Sequence, residues 1–206
     1  MDLFPIFLKL EKRACLVVGA GPIGEEKIGG LLNTGADVAV IAPKATETVQ
    51  NWAKSGKIRW HERAFRKSDL DGIFLIVAAT SDSALHDEIY KEARRRGILC
   101  NVVDDPLHCD FYYGSVVRRG PLQLSISTAG LSPALAQRLR KHLEKKIGPE
   151  YAQWVKELGE VRERLFQKKM DPARRKQLLH RLASREGYET FVKREASAKK
   201  KSRGKK

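Results

Sequence analysis

Two short stretches carry residues whose types and spacing can do chemistry. The first, "LVVGAGPIGEEK" (16–27), places Gly19, Gly21 and Gly24 between an apolar run and a charged one. A glycine in the first position permits a tight turn. In the second it lets a pyrophosphate approach the backbone, and in the third it lets a helix pack closely on the preceding strand. Free N–H groups at the helix start complete an anion site, so the expected ligand is a dinucleotide. The second stretch, "CNVVDDP" (100–106), ends an apolar run on two carboxylates. A carboxylate beside the dinucleotide's reactive ring can accept a proton as hydride leaves a substrate. Asp104 is favoured as that base and Asp105 as the starter of a turn, because Asp-Pro pairs open turns.

These residues need a scaffold, and the hydrophobic patterning supplies one. Apolar strands are predicted at 14–19, 37–43, 57–63, 73–80 and 98–104, with amphipathic helices at 22–35, 46–56 and 81–97 between them. Continuous apolar strands alternating with helices imply a parallel sheet covered on both faces. The pattern then changes: "GSVVRRGPLQLSIST" (114–128) reads as a hairpin, and a helix follows at 131–148, opened by Ser132 and Pro133. Two further helices are expected beyond Pro149. The fold class is α/β: a Rossmann-like domain over 1–112, a small hairpin-and-helix segment over 113–148, a helical domain over 149–195, and a basic disordered tail over 196–206.

Carboxyl ends of strands in open α/β sheets face the ligand crevice. Thr80 and Ser81 close one such strand and form the next expected cofactor contact. Asn101 is a buried amide for which a cofactor would be a partner. The second strand ends "VIAPK", without the Asp or Glu that holds an adenosine ribose; Val40, Ile41 and Ala42 cannot replace it. Lys44 suits a 2′-phosphate, or it is a plain surface lysine. "SISTAGLSP" (125–133) forms a second anion-friendly nest or an ordinary capped loop.

Composition narrows the class. The chain has 206 residues, with 42% hydrophobic and 32% charged, ordinary values for a globular protein. No apolar run approaches the ~20 residues of a membrane span, and the N-terminus lacks the pattern of a secretory signal. Cys15, Cys100 and Cys109 have no metal-ligand spacing, and the five histidines show no ligand pairing, so no metal site is expected and a reducing cytoplasm is the expected location. Residues 149–206 hold 18 of the 40 Lys and Arg but 8 of the 25 acids, which concentrates the +15 net charge there. No aromatic is interleaved with the terminal lysines, so a solubilising tail is favoured over a nucleic-acid footprint.

The segments "LFPIFLKLEKRACLVVGAGPIGEEK", "CNVVDDP" and "SISTAGLSPALAQRLR" together resemble the precorrin-2 dehydrogenase family, the N-terminal region of siroheme synthase, in its stand-alone form. The resemblance covers nearly the whole chain apart from the lysine tail. It implies NAD-dependent oxidation of precorrin-2, an anionic tetrapyrrole, to sirohydrochlorin by a homodimer built from about 113–195. It further implies Gly19, Gly21, Pro22, Ile23 and Gly24 as the phosphate loop, Pro43 and Lys44 as adenosine contacts, and Asp104 as the dehydrogenation aspartate. The substrate region falls on Ser127, Thr128 and Gly130, where Thr128 replaces a serine of some relatives. "FYYGSVV" departs from the family's usual sequence before the hairpin. Arg118, Arg119, Arg138, Arg140 and Lys141 are available to the substrate's carboxylates. The alternatives are a bifunctional dehydrogenase and sirohydrochlorin ferrochelatase and, more remotely, a nucleotide-sensing module that binds nucleic acid.

Overall fold

The computed structural model describes residues 3–203, of which 3–198 include side chains. The chain divides into two compact units, Met1–Tyr112 and Tyr113–Lys206.

The first unit is a five-stranded, all-parallel sheet in the order β3-β2-β1-β4-β5. Its strands are β1 (Ala14–Ala20), β2 (Asp37–Ala45), β3 (Arg59–His61), β4 (Leu75–Ala78) and β5 (Leu99–Val102). They are joined by α1 (Pro22–Leu32), α2 (Glu47–Lys54) and α3 (Ser83–Arg96). Alternate residues of β1 explain why its sequence is apolar throughout. Cys15 and Val17 enter one core with Ile28 and Leu31 of α1 and Val49 of α2, while Leu16 and Val18 enter another with Ile89 and Ala93 of α3. Both faces of the sheet are thus buried. Each fully buried Val or Leu contributes about 1.5–3 kcal/mol relative to exposure, which leaves no position from Cys15 to Val18 tolerant of a charge.

Strand order reverses direction between β1 and β4, and this switch point is where the crevice of a doubly wound sheet opens. β3 is shorter than its apolar pattern suggests and pairs with β2 at three positions. Its Trp60 indole N–H donates to the Ala42 carbonyl at 3.0 Å, tying down the end of β2.

The second unit begins with an antiparallel hairpin, β6 (Ser115–Arg119) and β7 (Leu122–Ile126), followed by α4 (Pro133–Lys146), α5 (Tyr151–Gln167), α6 (Pro172–Leu182) and α7 (Arg185–Arg203). Gly120 turns the hairpin with φ +56°. The expected disordered tail is corrected for residues 196–203: α7 continues through Arg203. The run from Glu195 to Lys201 is built from Ala, Lys, Glu and one Ser, with no Gly or Pro to stop a helix. Residues 204–206 lie outside the described residues. Among the described residues no helix is long and apolar enough to cross a membrane.

Candidate active site

The glycine loop shows why each glycine is present. Gly19 has φ +103°, and a Cβ there would lie 2.3 Å from the Ala79 carbonyl oxygen; one on Gly24 would lie 2.2 Å from the Gly19 carbonyl oxygen. Both glycines therefore serve the packing of β1, β4 and α1. Gly21 differs. Its φ of −75° suits any residue, and a Cβ would meet nothing within 4 Å. The protein's own packing does not require glycine at the mouth of α1, whereas a phosphate lying on those backbone N–H groups would. Gly21 caps α1 without a side chain and Pro22 occupies the first helical turn, so the helix start stays open to an anion. Ile23, beside it, is exposed. This loop fits a dinucleotide.

The walls of the crevice follow from sheet register. Val18 pairs with Ala78, and Ala78 with Val102. The residues that leave these three strands, Gly19, Ala79–Thr80 and Val103–Asp104, therefore line up along one edge. At a strand spacing of about 4.8 Å, the turn carrying Asp104 lies about 10 Å from the glycine loop. Pro43 and Lys44 are exposed at the corresponding end of β2. Thr46 anchors that end: its N–H donates to the Ala20 carbonyl at 3.0 Å and its hydroxyl to Glu25 of α1 at 2.6 Å. Ser81 is exposed, while the Thr80 hydroxyl accepts from the Asp82 N–H at 3.2 Å and pairs with His86 at 3.1 Å.

Asp104 is exposed, just past β5, in the left-handed region with φ +61°. Aspartate is one of few residues that accept this conformation readily. Behind it the chain folds back through a 3-10 turn (Pro106–His108), and Cys109 forms an antiparallel bridge to Asn101. The Asn101 amide donates to the Phe111 carbonyl at 2.8 Å and contacts the Cys109 sulfur at 3.3 Å. The fold thus directs this donor into its own loop rather than toward a cofactor. Asn101→Leu should lower stability by about 1–3 kcal/mol by leaving the Phe111 carbonyl without its donor; chemical denaturation measures it.

The cysteines do not offer nucleophiles. Burial pushes the Cys15 thiol up to about 11 and Cys100 up to about 12, and it raises Cys109 as well. Among the described residues, no group of three or more His, Cys, Asp or Glu is placed to hold a metal ion.

Ser127, Thr128 and Gly130 lie in the second unit, on the loop before α4. The Ser127 hydroxyl accepts from the Ala129 N–H and that of Thr128 from the Ser132 N–H, both at 3.1 Å. Ala129 and Gly130 both have positive φ, giving the loop a sharp double turn. Two of the five basic residues considered for substrate carboxylates are committed elsewhere. Arg119 donates to the Ile147 and Glu144 carbonyls at 2.8 and 2.9 Å, closing the C-terminus of α4, and Arg140 pairs with Glu144 at 2.6 Å. Arg118, Arg138 and Lys141 remain exposed. Sequence reasoning missed the commitment of Arg119, which only the packing of the hairpin against the end of α4 brings to those carbonyls.

The parallel sheet, its switch-point glycine loop and the open start of α1 define a dinucleotide-binding domain of the doubly wound class. Residues 6–115 match the family model described as NAD(P)-binding, and the chain belongs to that family; residues 119–146 match the model described as sirohaem biosynthesis protein central. Siroheme synthases of Photorhabdus laumondii and Nitrosococcus oceani are each 39% identical over 168 residues, 82% of this chain and 36% of theirs. The chain thus spans about a third of the length of these curated relatives. The solved structure of SirC, a precorrin-2 dehydrogenase, superposes with a TM-score of 0.76 at 28% identity, over 93% of this chain and 98% of that one.

Proposed function

We propose that the protein is an NAD-dependent dehydrogenase that oxidises precorrin-2 to sirohydrochlorin in siroheme biosynthesis. One observation carries the chemistry: an open glycine loop and an exposed aspartate leave β1 and β5, the strands on either side of β4, along the same edge of the sheet. Similarity over nearly the full length of a precorrin-2 dehydrogenase supports the choice of substrate.

When bound, NAD supplies the hydride acceptor. The chain's own contribution is alignment and proton handling. Backbone N–H groups of Gly21, Ile23 and Gly24 would hold the pyrophosphate, and Pro43, Lys44 and Ser81 would flank the remaining length of the dinucleotide. The Asp104 carboxylate would accept the proton released as hydride leaves the macrocycle, which accounts for the second of the two hydrogens removed. Arg118, Arg138 and Lys141 are the basic groups free for the substrate's carboxylates, and Ser127, Thr128 and Gly130 form the second unit's candidate substrate loop. The +15 charge attracts anionic partners at long range. The working form is a cytoplasmic homodimer assembled through 113–195.

The test is anaerobic mixing of the protein with precorrin-2 and NAD while following reduced-cofactor absorbance. Stoichiometric NADH and sirohydrochlorin are expected. A flat trace from folded protein that binds NADH would overturn the reading.

A further inference from the structure

The Asp104 carboxylate sits on a left-handed turn, which aspartate tolerates better than most residues but does not enforce by itself. Its left-handed backbone persists only where the surroundings over-determine it. On one side, the Val103 N–H donates to the Ala78 carbonyl at 2.9 Å. On the other side the Asp105 N–H donates to the Val102 carbonyl at 3.3 Å, the Cys109 thiol lies 3.2 Å from the Val102 and Asp105 carbonyls, and the link out to a neighbouring helix runs through one side chain, His108.

The His108 ring nitrogen Nδ1 lies 2.6 Å from the Asp105 carboxylate, and its backbone N–H donates to the Asp105 carbonyl at 3.1 Å. Its Nε2 lies 3.6 Å from an Asp87 carboxylate oxygen, and its ring stands edge-on to Tyr90 with centroids 4.7 Å apart. Asp87 and Tyr90 belong to α3. That helix starts at the loop leaving β4, where His86 bonds the Thr80 carbonyl at 2.9 Å. His108 therefore joins the loop after β5 to the helix that follows the loop after β4. The other charged groups around it are Asp104 on its own segment, Lys91 paired with Asp87, and Arg94, which lies over the Tyr90 ring and reaches Asp110.

We propose that His108 is a positioning residue for Asp104: by bridging Asp105 and Asp87 it fixes the left-handed turn at the crevice edge and locks that turn to α3. The proposal rests on Asp104 being the proton acceptor of the dehydrogenation above. The close pair also holds the Asp105 carboxyl below the usual carboxylate range, mainly through the hydrogen bond from His108, so Asp105 stays a charged partner in the turn. A solvated loop histidine, the ordinary fate of such a residue, would show neither carboxylate.

The experiment compares wild type with His108→Ala, His108→Asn and Leu107→Ala, the last an exposed neighbour in the same 3-10 turn. His108→Ala is expected to lose about tenfold in kcat, the scale of a modest misplacement of a reacting group, while KM for NAD and NADH affinity stay within about twofold. Hydrogen exchange at the Asp105 and His108 amides should quicken. An asparagine amide reaches the place of Nδ1 but not that of Nε2, so His108→Asn should regain the Asp105 limb alone and a kcat between those of His108→Ala and wild type; Leu107→Ala should match wild type. The proposal is overturned if His108→Ala keeps wild-type kcat, if its amides stay protected, or if His108→Asn is as slow as His108→Ala. A wild type that binds NADH yet makes none from precorrin-2 removes the dehydrogenase reading and this proposal with it. A working wild type with an indifferent His108 removes this proposal alone.

Discussion

Gly21→Asp protein is expected to melt with the wild type, or slightly above it, and to bind NAD at least about a hundredfold more weakly. The two halves of that result have separate causes. Aspartate is a preferred helix N-cap and complements the helix dipole, and the backbone at Gly21 is extended with open space where a side chain would stand. Stability is therefore kept. The same side chain occupies the approach to the backbone N–H groups and brings a negative charge to a pyrophosphate. Losing two charge-assisted hydrogen bonds at about 1.5–3 kcal/mol each accounts for a hundredfold or more. Gly19→Ala should behave in the opposite way. A left-handed alanine costs about 1–2 kcal/mol and the overlap with Ala79 about 1–3 more, so this variant should unfold at markedly lower denaturant. Thermal melts and fluorescence titration with NADH measure both. Equal NADH binding by Gly21→Asp and wild type would mean that the glycine loop is not a phosphate cradle.

Asp104→Asn is expected to lower kcat by about 10²–10⁴, the usual contribution of a positioned general base, with NADH binding intact. Asparagine is the informative replacement because it shares aspartate's tolerance of φ near +61°. An alanine there would add backbone strain and confuse a chemical defect with a structural one. Single-turnover formation of NADH from precorrin-2 is the measurement. A variant with wild-type turnover would assign the proton to water or another group.

What the sequence makes legible here is whatever depends on local chemistry. The spacing of Gly19, Gly21 and Gly24 after an apolar run is readable because a tight turn, a phosphate approaching the helix start and a close strand contact each favour glycine. β1 and β4 are readable because burial on both faces removes every polar residue from Cys15 to Val18 and from Leu75 to Ala78. Asp104 is readable as an acid at a strand's carboxyl end. The rest depends on contacts between residues well apart in sequence. Asn101 reads as a buried amide in search of a partner, and nothing in its neighbours announces that residues 109–111 return to meet it. Arg119 reads as surface charge until α4 places its last carbonyls opposite. His108 reads as a solvated loop residue, because Asp87 and Tyr90 join it only through the packing of α3 beside β5.

A crystal structure of the protein with NAD bound tests the shared edge most directly. The account predicts the pyrophosphate on the backbone N–H groups of Gly21, Ile23 and Gly24 and the nicotinamide on the same side of the sheet as the Asp104 carboxylate, with room for a macrocycle carbon between them. A nicotinamide directed away from the loop after β5, with Asp104 facing only solvent, would contradict it.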